Sequence, residues 1–314
     1  MRLLVLGGTR FLGRAIVDEA VGRGYDVTTF SRGVSGHPRP GAESLHGDRT
    51  SETDLRLLAG HVGHYTYVSS LSVYQDRPQE LTTEDSPVLD CPPDAVGTMQ
   101  TLGYGELKVG SERAVQQAMP DSNLIARPGL IVGPHENIGR LPWWLARIAR
   151  GGPVLAPGSP DSKLRMTDAR DLAAWLIDNT RRGIPGVVNV PGPDDTTFGD
   201  LLAVCTQVTA PQRGDGLELR WVADQELLAA GVSPWMELPM WAPDLPEFAG
   251  IWQTSGDRAV RTGMRYRPLL DTARDTWHWL LQDAATRDRP VSGFDRMPEI
   301  GLDPTREQEI LAGL

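Results

Sequence analysis

The feature that most constrains the fold of this chain is an apolar run at its start that ends in glycines and leads into an amphipathic pattern. "RLLVLG" has the composition of a buried strand, and "GRAIVDEAVGRG" has the periodicity of a helix closed by Gly24. A strand that ends in glycines and continues into a helix is typical of parallel α/β sheets. The first residues therefore predict an α/β protein.

The same alternation continues along the chain. The apolar runs "YDVTTFSRG", "ESLHGD", "HYTYVSS", "NLIARPGLIVG" and "GVVNVPG" predict strands. Helical patterns occur in "SETDLRLLAG", "LGYGELKVGSERAVQQAM", "MTDARDLAAWLIDNT", "LDTARDTWHWLLQDA" and "DPTREQEILAGL". This order predicts a Rossmann-like, doubly wound parallel sheet covered by helices.

Composition disfavours several other classes of protein. A formal net charge of −10 opposes broad contact with nucleic acid or an anionic membrane, since such contacts depend on Lys and Arg. No apolar run approaches the ~18 residues of a membrane helix, and no signal peptide is evident. Cys91 and Cys205 form neither a disulfide framework nor a metal cluster, and the histidines show no metal-ligand spacing. We expect a cytoplasmic protein with no metal site.

The glycine-rich turn predicts a pyrophosphate site. Gly7, Gly8 and Gly13 leave backbone N–H groups accessible at the start of a helix, where anions bind. The predicted site comprises every residue of the turn: Gly7, Gly8, Thr9, Arg10, Phe11, Leu12 and Gly13. The alternative is a tight strand-to-helix turn with no ligand.

The end of the second strand indicates the form of the cofactor. NAD-binding folds place an acidic residue there, whereas an arginine accommodates the 2′-phosphate of NADP. This strand ends in Ser31-Arg32, so Arg10 and Arg32 are predicted to hold NADP, with NAD as the second choice. Asp48 is predicted to reach the adenine, or to cap the next helix. Two solvated surface arginines remain the alternative.

A possible acid-base group lies further along the chain. Tyr104 and Lys108 are four residues apart and so share a helix face. A nearby ammonium favours the phenolate of a tyrosine, which can then exchange a proton with a substrate oxygen. Ser69 and Ser70 follow a strand, at the edge where α/β sheets place their chemistry. An exposed helix face without chemistry is the alternative for the Tyr104–Lys108 pair.

Together these motifs resemble the extended short-chain dehydrogenase/reductase family, in particular its NAD(P)-dependent epimerase/dehydratase-like members. The matching segments are "GGTRFLG", "GDRT", "YVSSLSVY", "YGELK", "RPGLIVGP" and "RDLA", and the tail from "SGDRAVRTGMRYRP" onward is also similar. The resemblance implies that Ser70 polarises the substrate oxygen, that Tyr104 is the acid-base, and that Lys108 bridges the nicotinamide ribose and Tyr104. Ser70 is chosen over Ser69 because it stands four residues before Tyr74, which is the position of the catalytic serine or threonine in the family that the chain resembles.

The resemblance also suggests a division of the chain. Residues 1–133 form the predicted dinucleotide-binding domain, to which 164–190 return, and residues 134–163 and 191–314 form a smaller, mostly irregular or helical substrate-binding part. His135, Arg140, Trp143 and Trp144 could line a pocket but more often such residues pack. Arg165 is displaced by one position from the arginine that binds the substrate pyrophosphate in nucleotide-sugar epimerases, which weakens that substrate assignment.

One segment is shorter than the family pattern. Between Asp48 and Tyr65 the sequence holds one helical pattern and no apolar run, so one strand and one helix are missing. We predict that "HYTYVSS" moves inward and pairs directly with the first strand, and that the nicotinamide half of the site is the less complete half. The alternative is that the sequence lacks a segment of the working protein.

The sequence thus predicts an NADP(H)-dependent oxidoreductase, epimerase or dehydratase that acts on a small hydroxyl or carbonyl substrate, with a homodimer as an open expectation. A non-catalytic NADP-binding sensor or scaffold of the same fold is the alternative, and the serine, tyrosine and lysine argue against it. RNA binding, known among plant proteins with a similar glycine loop, is a third candidate, which the negative net charge of the chain disfavours.

Overall fold

The computed structural model describes residues 1–34, 39–48, 61–75, 81–287 and 299–313. The chain divides into two compact units. The first unit comprises Met1–Ile131, Met166–Gly192 and Gln253–Tyr266, and the second comprises Val132–Arg165, Pro193–Trp252 and Arg267–Leu314.

Two parallel sheets form the centre of the first unit. Strands β1 (Arg2–Leu6), β2 (Asp26–Ser31) and β3 (Ala42–His46) pair in the order β1-β2-β3. Strands β4 (Tyr65–Val68), β5 (Asn123–Pro128) and β9 (Gly186–Val190) pair in the order β4-β5-β9. Every residue of β5 is buried, because this strand is paired on both sides. The parallel α/β class predicted from the sequence is confirmed.

Helices cover these sheets. They are α1 (Phe11–Gly22), α2 (Tyr104–Ala118), α4 (Ala169–Arg182) and α7 (Asp257–Arg261). The short strands β6 (Leu130–Val132) and β8 (Met166–Asp168) pair with each other. The sequence placed residues 253–266 with the substrate-binding part. They lie in the first unit because Ala259 and Met264 pack into its core with Leu124 and Val188.

The second unit is more regular than its sequence suggested. It contains α3 (Arg140–Ala149), β7 (Pro153–Pro157), α5 (Phe198–Thr209), β10 (Glu218–Val222), α6 (Asp224–Ala229), α8 (Leu269–Arg287) and α9 (Pro304–Gly313). Strands β7 and β10 pair in parallel. Most residues of helix α3 are buried, including Trp144, Leu145 and Ile148.

The predicted pairing of β4 with β1 is wrong for the described residues. There β1 pairs with β2 and β4 pairs with β5, and β1 and β4 belong to separate sheets. Residues 61–64 contain no strand, whereas 49–60, which include the whole of the predicted helix "SETDLRLLAG", lie outside the described residues.

Packing of α1 against α4 explains why β1 and β4 remain apart. Ile177 of α4 lies in one core cluster with Val5 and Val27, and Ile16 of α1 packs against that cluster and against the cluster around Leu124. Packed helices lie about 8–10 Å apart, close to two strand spacings. A helix pair that bridges the two sheets therefore opposes the inward shift of one strand.

No helix in the described parts of the chain combines the length and apolar character needed to cross a membrane.

Candidate active site

The glycine turn adopts the backbone conformation that only glycine accommodates easily. Gly7 and Gly8 have φ values of 120° and 99°. A Cβ on Gly13 would lie 2.8 Å from the Gly8 nitrogen, so the helix approaches the turn at backbone contact. A Cβ on Gly7 would meet nothing within 4 Å, which leaves open space beside the turn. The geometry fits the close approach of a pyrophosphate.

The start of α1 is open to an anion. Arg10 occupies the N-cap position, has an extended backbone, and its side chain caps no N–H group of the helix. Phe11 begins the helix with φ 34°, an unusual value for a residue with a side chain. Leu12 packs into the core, and Thr9 is half-buried at the turn. Uncapped N–H groups at a positive helix end favour a phosphate.

The ends of β2 and β3 lie side by side next to this turn. The Gly7 N–H donates to the Phe30 carbonyl at 2.9 Å, and the Gly47 N–H donates to the Ser31 carbonyl at 3.0 Å. Ser31 accepts a hydrogen bond from the Gly33 N–H at 3.4 Å, and Arg32 is exposed. Asp48 follows Gly47 and is half-buried, and Arg10 is exposed. The residues predicted to bind the adenosine therefore follow strands that share one edge of the sheet.

Tyr104 and Lys108 lie at the start of α2. Tyr104 is the first residue of the helix and 40% exposed. The Lys108 ammonium lies 5.7 Å from the centre of the Tyr104 ring and 5.0 Å from the centre of the Tyr67 ring. Burial raises the pKa of Tyr67, so this neighbouring tyrosine stays protonated at neutral pH. The exposed Tyr104 is the tyrosine that a ligand can reach.

Lys108 also contacts the open side of β4. The Ser69 N–H donates to the Ala126 carbonyl of β5, and the Tyr65 N–H donates to the Ser122 carbonyl just before β5. The alternation of a parallel ladder therefore turns the backbone groups of Val68 away from β5. The Lys108 ammonium donates to the Val68 carbonyl at 2.8 Å. The lysine thus satisfies one outward carbonyl of a strand that has no partner on that side among the described residues.

Ser70 caps the turn that follows β4. Its Oγ accepts a hydrogen bond from the Ser72 N–H at 3.1 Å and donates to the Ser72 Oγ at 3.2 Å, at the start of the 3-10 turn Leu71–Val73. Ser69 is 3% exposed, and its hydroxyl has no partner within the described residues. The choice of Ser70 over the buried Ser69 remains a prediction that the accessibility of the two side chains favours.

A backbone contact joins the serine turn to α2. A Cβ on Gly105 would lie 2.2 Å from the Ser72 carbonyl oxygen, so no larger residue fits between the helix and the turn. This contact brings the segment that carries Ser70 against the first turn of the helix that carries Tyr104 and Lys108.

The other candidate residues lie in the second unit and make packing or structural contacts. Trp143 and Trp144 are 7% and 0% exposed. The ring centres of His135 and Trp279 are 5.1 Å apart. Arg165 donates from Nε to the Pro193 carbonyl and from Nη1 to the Trp252 carbonyl, at 3.1 and 3.2 Å. These donors of Arg165 support two loops.

Sequence reasoning missed a buried polar cluster beneath the site. Its members are Tyr74, Glu112, Arg127 and Asn189, each at most 4% exposed. One signal was present, because Glu112 stands four residues after Lys108 and so continues the same helix face. The other three residues come from distant segments, and their meeting depends on the fold.

Comparison with known proteins agrees with this architecture, although no family model matches the chain. The chain is 25% identical over 245 residues to the chloroplast stem-loop binding protein of 41 kDa b from Arabidopsis thaliana. That match covers 66% of this chain and 62% of the relative, so it spans less than two thirds of the relative's length.

Solved structures match over a larger share of the chain. The enzyme WbmH of Bordetella bronchiseptica, solved with NAD+, superposes with a TM-score of 0.64 at 14% identity and covers 90% of this chain and 98% of its own. UDP-glucose 4-epimerase of Thermotoga maritima, solved with UDP-glucose, gives a TM-score of 0.62 at 14% identity over 90% and 99%. The chain therefore has the same Rossmann-like α/β fold as these solved structures, as its motifs predicted.

Proposed function

We propose that this chain is an NADP(H)-dependent oxidoreductase of the epimerase or dehydratase type that acts on a small substrate bearing a hydroxyl or carbonyl group. The proposal rests on one observation above all. The close contact between Gly105 and the Ser72 carbonyl holds the Ser70 turn against the helix that begins with Tyr104 and continues to Lys108. Such a cluster is suited to proton exchange with a substrate oxygen.

The glycine turn and the uncapped start of α1 are the residues that would hold the pyrophosphate of the cofactor. The open space beside Gly7 and the tight approach of Gly13 to Gly8 support this assignment. A nicotinamide cofactor, when bound, supplies hydride donation or acceptance at a carbon that carries an oxygen. The WbmH enzyme of Bordetella bronchiseptica shares this fold and was solved with NAD+, which supports a cofactor of this class.

Each residue of the cluster has a separate role in this proposal. Tyr104 transfers the proton of the substrate oxygen, and its 40% exposure leaves the ring accessible. Ser70 would donate a hydrogen bond to the same oxygen once its hydroxyl rotates away from Ser72 Oγ, to which it donates in the structure. Lys108 places a positive charge 5.7 Å from the centre of the Tyr104 ring. An ammonium has three N–H donors, so its bond to Val68 is compatible with a further bond to a ribose hydroxyl.

The preference for NADP rests on charge at the end of β2. Where an NAD-binding fold has a carboxylate, this chain has Ser31 followed by Arg32, and both Arg32 and Arg10 are exposed. Two guanidinium groups near the adenosine end would stabilise a 2′-phosphate through charge-assisted hydrogen bonds. NAD is the second choice, and it is the cofactor bound in the Bordetella structure.

The test is a turnover assay with a panel of carbonyl compounds, alcohols and nucleotide sugars. Purified protein is mixed with each compound and with NADP(H) or NAD(H), and absorbance of the reduced cofactor is followed alongside product analysis for epimerisation. Turnover that Tyr104→Phe abolishes supports the proposal. Cofactor binding without turnover of any panel member favours the sensor or scaffold alternative instead.

RNA binding is a second candidate, which the name of the Arabidopsis relative favours. The net charge of −10 opposes it, because broad contact with a nucleic-acid backbone depends mainly on Lys and Arg. A labelled stem-loop RNA titrated with the protein at low and at physiological salt separates the two candidates. Binding that persists at physiological salt would support the RNA candidate.

A further inference from the structure

A buried polar cluster connects the candidate active site to the centre of the sheet. We call it the Arg127 network, and it consists of Tyr74, Glu112, Arg127 and Asn189. Arg127 donates from Nε and Nη2 to the two carboxylate oxygens of Glu112, at 2.9 and 2.6 Å. Its Nη1 donates to the Tyr74 hydroxyl at 3.0 Å, and that hydroxyl donates to Asn189 Oδ1 at 2.7 Å.

The four residues lie on four different segments. Tyr74 directly follows the 3-10 turn that Ser70 caps, and Glu112 lies on α2 one turn after Lys108. Arg127 and Asn189 lie on β5 and β9, which pair with each other. The network therefore ties both segments that carry the candidate catalytic residues to a fully buried part of the sheet.

The directions of the hydrogen bonds leave little freedom. Arg127 uses a planar, two-bond contact with Glu112, so the orientation of the guanidinium is fixed. Tyr74 accepts from Arg127 and donates to Asn189, and its ring centre lies 5.0 Å from the guanidinium carbon. Burial raises the pKa of Tyr74, so its hydroxyl keeps the proton that it donates.

The composition of this cluster is not what stability alone favours. A buried ion pair costs so much desolvation that an apolar pair of similar volume is often at least as stable. What an apolar pair lacks is direction, because it fixes neither the orientation of the helix nor the position of the tyrosine. A cluster of directional hydrogen bonds beneath the site is consistent with a requirement that the serine turn and the helix keep a fixed relative position.

We propose that Arg127, Glu112 and Tyr74 are positioning residues that hold the Ser70 turn and the helix bearing Tyr104 in one fixed arrangement. For its effect on turnover this inference rests on the proposed function. Its structural part, the fixed arrangement of turn and helix, does not depend on turnover and can be measured separately.

The test uses a pair of double variants. Glu112→Met with Arg127→Met removes both charges together, so no unpaired charge stays buried. The matched control is Arg147→Met with Glu307→Met, an ion pair in the second unit with an N–O distance of 2.6 Å and similar burial. Amide hydrogen exchange, thermal midpoint, cofactor affinity and, where a substrate is found, kcat are measured for wild type and both variants.

We expect faster exchange in residues 69–75 and 104–112 of the first double variant, by about tenfold, with unchanged exchange in α1 and β2. Cofactor affinity is expected to stay within about twofold, while kcat falls by about 10²-fold because a small displacement misaligns the reacting groups. The control is expected to leave exchange in these segments and kcat unchanged. Unaltered exchange at the site, or uniformly faster exchange throughout the first unit, overturns the proposal.

The test also covers a double variant that fails to fold and a wild-type protein that turns over no compound. If the double variant fails to fold, Tyr74→Phe removes only the hydroxyl and is expected to increase exchange locally in residues 69–75, and unaltered exchange there overturns the inference. If the wild-type protein turns over no compound in the panel, the proposed function fails, whereas the exchange pattern still decides whether the network fixes the turn and the helix.

Discussion

Glu136 gives the sharpest prediction about stability. Its side chain is fully buried, and its carboxylate accepts hydrogen bonds from the N–H groups of Arg140 and Leu141, at 2.8 and 3.4 Å. Helix α3 begins after Gly139, which has no side chain to cap it, so Glu136 supplies the cap. Burial raises the pKa of Glu136 from 4.5 to about 7, although the N–H groups and Arg140 favour the charged form.

The sign of the effect follows from proton linkage. The folded protein binds the Glu136 proton more tightly than the unfolded chain does. The stabilisation is therefore fully present below pH 4.5 and is lost as the pH rises to about 7. A pKa difference of this size corresponds to about 3 kcal/mol of unfolding free energy, at about 1.4 kcal/mol per pH unit. Above pH 7 the contribution is constant.

Glu136→Gln tests this prediction because it keeps the shape and one acceptor but removes the titration. Urea unfolding of wild type and variant is measured at several pH values between 4.5 and 8. The unfolding free energy of wild type minus that of the variant should fall by about 3 kcal/mol between pH 4.5 and 7 and then level off. Titrations of all other groups cancel in this difference. If the difference in unfolding free energy between wild type and variant does not change with pH, Glu136 does not bind its proton more tightly in the folded protein.

Three further predictions concern the cofactor and the chemistry. Arg32→Ala should weaken the binding of NADP more than that of NAD, by about 1–3 kcal/mol for a lost charge-assisted contact. Equal loss of affinity for both cofactors in fluorescence titrations would contradict the assignment. Gly13→Ala should weaken the binding of either cofactor, since the new methyl would lie 2.8 Å from the Gly8 nitrogen. The control Gly22→Ala adds a methyl in open space on the same helix and should leave cofactor affinity unchanged. Tyr104→Phe should leave cofactor affinity intact and lower kcat by about 10²-fold or more, and a fully active variant would assign the proton transfer to another group.

Local patterns in the sequence were enough to predict the parts of the fold that depend on neighbouring residues. The glycine spacing predicted the turn because Gly7, Gly8 and Gly13 meet within one short segment. The helix of Tyr104 and Lys108 was predicted for the same reason, since an i,i+4 pair on a helix is a local relation. These features require no knowledge of tertiary packing.

Features that depend on distant segments could not be predicted in this way. The pairing of β4 with β1 was predicted from strand edges alone, whereas the packing of α1 against α4, which involves Ile16 and Ile177, opposes it. The meeting of Arg127 with Glu112 and Tyr74 likewise depends on how β5, α2 and the serine turn assemble.

The proposed chemistry depends on binding of a nicotinamide dinucleotide at the glycine turn. Fluorescence titration of the wild-type protein with NADPH and with NADH tests it most directly, with circular dichroism to show that the protein is folded. We predict saturable binding of one cofactor per chain, tighter for NADPH than for NADH, and weakened by Gly13→Ala but not by Gly22→Ala. Absence of saturable binding of both cofactors to folded protein would contradict the account.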